Sequence, residues 1–177
     1  HAKNACRAAL AVLAKLDELN TERARKGQTQ PVAIGIGLNS GPCAAGNVGS
    51  PQQLNYSIMG ETVNIAARFE EATKRFGVSI IIGENTAAAV ADFAKLELGS
   101  IALRGKDRPE RLYALIGEED VARSPDFTKL ATAHGALMQS IKSGDAKQSR
   151  AALEACRAIA SKELTQLYNT IADQITT

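Results

Sequence analysis

The chain reads as a mixed α/β fold that continues into an all-helical end, and three observations predict it. Between residues 32 and 117, short strand-like runs alternate with helical patterns and are separated by glycines. An apolar stripe at helical spacing opens the chain. From Ser124 onward the composition changes to helix formers.

Taken in order, Ala5, Ala9, Val12, Leu16 and Leu19 recur at alternating spacings of four and three, which predicts an amphipathic helix packed on the sheet. Residues 20–30 are polar, hold Gly27 and end before Pro31, so they read as a loop. Residues 32–38 form a short apolar strand in which Gly35 and Gly37 call for another backbone passing close by. Gly41, Gly46 and Gly49 shape a hairpin whose return strand presents Ser57. The helix predicted over 61–76 carries its core stripe at Ile65, Phe69, Ala72 and Phe76. Gly77 ends it. Residues 79–82 are a β-branched strand stopped at Gly83, and 84–92 read as a short Ala-rich helix. Strand material at 95–98 and 100–103 flanks Gly99, and a last strand covers 111–116.

In the helical end, Phe127, Leu130, His134, Leu137 and Ile141 mark one helix, with Pro125 in its first turn and Ser143-Gly144-Asp145 as a stop followed by a cap. Over 146–175, Cys156, Ala160, Leu164, Tyr168, Ile171 and Ile175 share a stripe that fits one long helix or two short ones. No second copy of this helical hairpin occurs at a fixed period, so it is not a solenoid.

Composition narrows the function classes. With 177 residues the chain can bury a core and hold one domain plus an appendage. A net charge of +2 with 23% charged residues offers no broad basic surface, and 4% aromatics without Trp offer few stacking platforms, so nucleic acid is not an expected partner. No apolar run approaches the ~20 residues that cross a bilayer, and no secretion leader is visible. Cys6, Cys43 and Cys156 are scattered, as in a reducing compartment, and read as small buried residues; His1 and His134 have no partner at metal spacing.

The most informative stretch is 55–70, NYSIMGETVNIAARFE. Asn64 and Arg68 lie four apart on one helix face, ~100° round from the core stripe, and form a half-site for something anionic. The bland alternative is a surface pair of Arg68 with Glu71, worth only ~0 to 1 kcal/mol. A dinucleotide fingerprint at Gly35, Gly37 and Gly41 fails, because the third glycine comes one residue late and no helix follows it.

This stretch and the preceding VAIGIGLNSGPCAAGNVGS of 32–50 resemble the class III nucleotide cyclases, specifically bacterial adenylate cyclases, over residues 31–117. The resemblance implies a ferredoxin-like cyclase core and conversion of ATP to 3′,5′-cyclic AMP and pyrophosphate. It implies that Asn64 positions the ribose, that Arg68 stabilises charge developing on the α-phosphate, that Ser57 helps read adenine, and that Lys106, in the turn 105–109, contacts phosphate. It further implies Mg²⁺ or Mn²⁺ held by two Asp residues, and a site shared between two cyclase domains in a homodimer.

The family's metal-binding Asp segments and its base-reading Lys find no counterpart in this chain. The chain is therefore expected to be a partial cyclase catalytic domain over 1–120, lacking the N-terminal strands, with a helical tail over 121–177. By itself it is expected to make no cyclic AMP and to self-associate through uncovered strand edges. A cytoplasmic location is expected, either free or as the cytoplasmic part of a membrane-anchored sensor. Two rival readings are a non-catalytic nucleotide-binding regulatory module and a protein-interaction unit acting through the tail.

Overall fold

The computed structural model describes residues 1–50, 53–102 and 109–176. Helix α1 (Ala2–Arg25) leads to β1 (Ile36–Leu38), the hairpin β2 (Ala44–Ser50) and β3 (Gln53–Met59), and α2 (Glu61–Phe76). Next come β4 (Ile80–Gly83), α3 (Glu84–Ala89), β5 (Ala94–Ile101) and β6 (Glu110–Gly117). The tail holds α4 (Glu119–Arg123), α5 (Pro125–Ser143), α6 (Ala146–Ile159), a 3₁₀ turn over Lys162–Leu164 and α7 (Thr165–Thr176).

The fold is mixed α+β, as the sequence predicts. A four-stranded sheet runs in the order β1-β4-β6-β5, with β1 parallel to β4 and the other pairs antiparallel. A parallel pair needs a long crossover, which the hairpin and α2 supply. The hairpin forms a separate two-stranded sheet. Ile80, Ile81 and Ile82 are all buried, because β4 is covered on both faces and alternates its side chains between them. Ile80 and Ile82 join Cys6, Ala9, Val90 and Phe93 beneath α1 and α3. Ile81 joins Phe69 and Phe76 of α2 and Leu137, Leu153, Tyr168 and Ile171 of the tail.

Helix α1 departs from its predicted face. The residues it buries are Ala2, Cys6 and Ala9, with Leu10 and Leu13 packed beside them, while Val12 is 48% and Leu19 47% exposed. Only its N-terminal half meets α3 and the sheet, and small side chains there permit a close approach. The helix also takes in residues 20–25 of the loop predicted over 20–30, because this stretch contains good helix formers before Gly27 at φ 80°. Strand 32–38 shortens to Ile36–Leu38. Ahead of it, the backbone of Val32 is held by the Asn20 side chain in both directions, with Nδ2 donating to the carbonyl and Oδ1 accepting from the amide, each at 2.8 Å.

The tail follows its local signals. The Ser124 hydroxyl caps α5 by accepting from the Phe127 amide at 3.2 Å, Gly144 closes it at φ 74°, and Asp145 caps α6 by accepting from the Gln148 amide at 2.9 Å. The stripe over 146–175 is divided between two helices, because Ala160 turns to extended backbone. The short α4 was not anticipated.

Candidate active site

Helix α2 lies directly on β1. A Cβ at Gly37 would come within 2.0 Å of the Ala66 carbonyl oxygen and 2.6 Å of the Glu70 amide nitrogen, and one at Gly35 within 2.2 Å of Thr73 Oγ1. Those glycines therefore create the close backbone approach that the sequence predicts, and they set the height of α2 above the sheet. Its rotation is set by Ile65, Phe69, Thr73 and Phe76, all buried.

The first turn of α2 is fixed by hydrogen bonds. Gly60, at φ 142°, accepts from the amides of Val63 and Asn64 at 3.1 and 3.3 Å. Asn39 Nδ2 donates to the Thr62 carbonyl at 3.2 Å, and Thr62 Oγ1 donates to the Pro42 carbonyl at 2.7 Å. The same loop is tied to α3, since Asn85 Nδ2 donates to the Ser40 carbonyl at 3.2 Å and the Ser40 and Thr86 hydroxyls share a bond of 2.8 Å. A cavity of about 180 Å³ lies at this junction, lined by Asn39, Thr62, Ile65 and Asn85. Asn39 and Thr62 were missed in the sequence; their one signal was the turn-forming Asn39-Ser40 pair after the strand.

Asn64 and Arg68 each precede a buried residue by one position, which turns both outward, and both are exposed. Neither side chain has a hydrogen-bond or ion-pair partner among the described residues, so the surface pair of Arg68 with Glu71 does not form. Ser57 sits on β3 opposite Gly46, half-buried, on the hairpin face turned away from Leu54, Tyr56 and Ile58. Strand β3 runs straight through Gly60 into α2, so Ser57 and Asn64 lie on adjoining elements. Lys106 lies outside the described residues. Among the described residues, no group of three or more His, Cys, Asp or Glu side chains is arranged to hold a metal ion.

The arrangement presents an amide and a guanidinium on the exposed face of α2, and a half-buried hydroxyl on the strand that leads into that helix. The guanidinium offers a planar fork of donors suited to phosphate oxygens.

Residues 1–117 match the family model described as the adenylate and guanylate cyclase catalytic domain, and the chain belongs to that family. Among curated proteins, it is 32% identical to adenylate cyclase 1 of Rhizobium meliloti (strain 1021) over 134 residues, covering 75% of this chain and 20% of that protein. It is 31% identical to the adenylate cyclase of Anabaena cylindrica over 116 residues, covering 62% of this chain and 23% of that protein. The chain thus spans about a fifth of the length of these relatives. Among solved structures, the adenylyl cyclase CyaB from P. aeruginosa superposes with a TM-score of 0.54 at 30% identity, covering 62% of this chain and 55% of that one. Helices α4 to α7 lie beyond the family match.

Proposed function

We propose that the protein is an adenylate cyclase that converts ATP to 3′,5′-cyclic AMP and pyrophosphate, with this chain contributing the Asn64 and Arg68 half of the site. The observation that carries the reading is a pair of polar side chains, unpartnered among the described residues and four apart on the exposed face of α2, within a chain of the cyclase family. In this reaction the ribose 3′-oxygen attacks the α-phosphorus, the bond to the bridging oxygen of the β-phosphate breaks, and pyrophosphate leaves. Asn64 holds the ribose so that attack starts from near ~3 to 3.5 Å. Arg68 donates to the α-phosphate oxygens as they gain charge. Ser57 hydrogen-bonds the adenine, and Lys106 contacts phosphate.

The described residues do not form a ligand set for the Mg²⁺ or Mn²⁺ that the family resemblance implies, so no step is assigned to metal on this chain. A second cyclase domain that bears the metal aspartates completes the site, in a homodimer of the intact protein. Its support is the outward hairpin face, where Leu54, Tyr56 and Ile58 are 58%, 77% and 58% exposed. Because the proposed substrate is ATP, we assign the domain to the cytoplasm, free or as the cytoplasmic part of a membrane-anchored sensor; among the described residues no helix is long and apolar enough to cross a membrane.

The test mixes this chain with a cyclase domain that bears the metal aspartates and lacks its own Asn and Arg. This chain alone should form no cyclic AMP, and the mixture should form it from ATP. Arg68→Ala should then lower kcat by ~10²- to 10³-fold with little change in KM, because its contact strengthens only as charge builds. Ser57→Ala should mainly weaken the preference for ATP over GTP, by ~0.5 to 1.5 kcal/mol for one neutral hydrogen bond. If Arg68→Ala kept kcat and lowered only Tm, the catalytic assignment would be wrong.

A further inference from the structure

The C-terminal end of α2 is completed by the tail. A helix leaves its last four carbonyls without partners inside the helix. In α2, the Thr73 carbonyl accepts from the amides of Gly77 and Val78, in a left-handed turn at Gly77 with φ 63°. This local cap leaves the carbonyls of Lys74 and Arg75 to be satisfied elsewhere. Both are met from α7: Gln166 Nε2 donates to the Lys74 carbonyl at 3.5 Å and Thr170 Oγ1 donates to the Arg75 carbonyl at 3.0 Å. The approach is close, since a Cβ at Gly77 would lie 2.4 Å from Gln166 Cγ.

The same two elements share a core. Phe69 and Phe76 of α2 cluster with Leu167, Tyr168 and Ile171 of α7, and all five are buried. Phe69 is the residue next to Arg68. Helix α7 is in turn anchored to the sheet: the His134 ring donates from Nε2 to the Glu97 carbonyl of edge strand β5 at 2.7 Å and accepts at Nδ1 from the Tyr168 hydroxyl at 3.3 Å. So α7 bridges a fixed point on the sheet and the free end of the helix that carries Asn64 and Arg68. This support lies outside the family match, which ends at residue 117.

We propose that α7 is a positioning element for the proposed active site, with Thr170 and Gln166 holding the C-terminal end of α2 so that Arg68, two turns away, keeps its place. The catalytic part of this statement rests on the function proposed above; the mechanical part does not.

The test is hydrogen exchange on the whole chain, comparing Thr170→Val, which keeps the shape and removes the donor, with Thr170→Ser, which keeps the donor. Thr170→Val should speed exchange across residues 65–77 by about fivefold, as expected for one lost hydrogen bond of ~1 kcal/mol, and Thr170→Ser should match the unaltered protein. In the mixed-domain assay Thr170→Val should lower kcat severalfold at unchanged KM, with Thr170→Ser restoring it. Unchanged exchange in α2, or an equal rise in every element, would overturn the proposal, because the tail would then add only general stability. Active Arg68→Ala together with a faster-exchanging α2 in Thr170→Val would sink the catalytic reading and leave the mechanical link standing.

Discussion

Gly37 and His134 show how single residues hold the architecture. A side chain at Gly37 would collide with backbone atoms of α2, which cannot swing aside as a flexible side chain can. Gly37→Ala should therefore cost ~1 to 3 kcal/mol, lowering Tm by roughly 2 to 10 °C for a chain of this size. Gly46 on β2 has nothing within 4 Å of its would-be Cβ, so Gly46→Ala should shift stability by no more than ~0.5 kcal/mol. Thermal melts of the two variants check this, and equal losses would mean that α2 is not seated on β1 through Gly37. His134 is buried, and desolvation pushes its pKa below the ordinary histidine value, against the opposing effect of the Glu97 carbonyl. The sign follows from proton counting. Above about pH 6.5 the ring is neutral folded and unfolded, and its contribution is intact. As pH falls below that value the unfolded chain takes up the proton first, so stability is lost with acidification, by at most about 1.4 kcal/mol per pH unit for one group. Denaturant melts between pH 7.5 and 5.5 should show this slope, and His134→Gln should flatten it; an unchanged slope in the variant would remove His134 as its source.

At the scale of elements, local chemistry was legible and distant contact was not. Pro125, Gly144 and Asp145 announced both ends of α5 and the start of α6 because a cap is made by residues within four positions of one another. The core stripe of α2 was legible for a similar reason: large residues recur on one face only, and Thr73 is buried beside Ala72, which packs partly buried against the same core. Helix α1 gave a false face because alanines surround it, so the stripe through Ala5 and Val12 and the stripe through Ala2 and Cys6 look equally apolar until a neighbour selects one. In the candidate site, Asn64 and Arg68 were visible from spacing, and Gly35 and Gly37 from the need for close approach. The groups that hold them were hidden, since Asn39 reaches Thr62 across 23 residues and Thr170 reaches Arg75 across 95.

For the whole molecule, the open question is what covers its exposed hairpin. Among the described residues, strands β2 and β3 pair only with each other, and a two-stranded sheet with both faces in water is marginal by itself. Leu54, Tyr56 and Ile58 stand at alternate positions on one face, opposite Gly49, Asn47 and Ala45, which are too small or too polar to cover them. Ser57 points the other way, so a partner could bind the apolar face without blocking the proposed base contact. The sheet offers a second surface for association, the outer edge of β1, which is unpaired among the described residues; the edge of β5 instead receives His134. The two surfaces respond differently to mutation. If the hairpin joins two copies, Tyr56→Glu with Ile58→Glu should convert a dimer at micromolar concentration into a monomer in light scattering, with Tm little changed, because neither side chain is in a core. It should also abolish cyclic AMP formation in the mixed-domain assay, since the half-site would lose its partner. A chain that stayed associated after both substitutions would move the interface to the edge of β1, and a native chain that remained monomeric across the concentration range would contradict the homodimer.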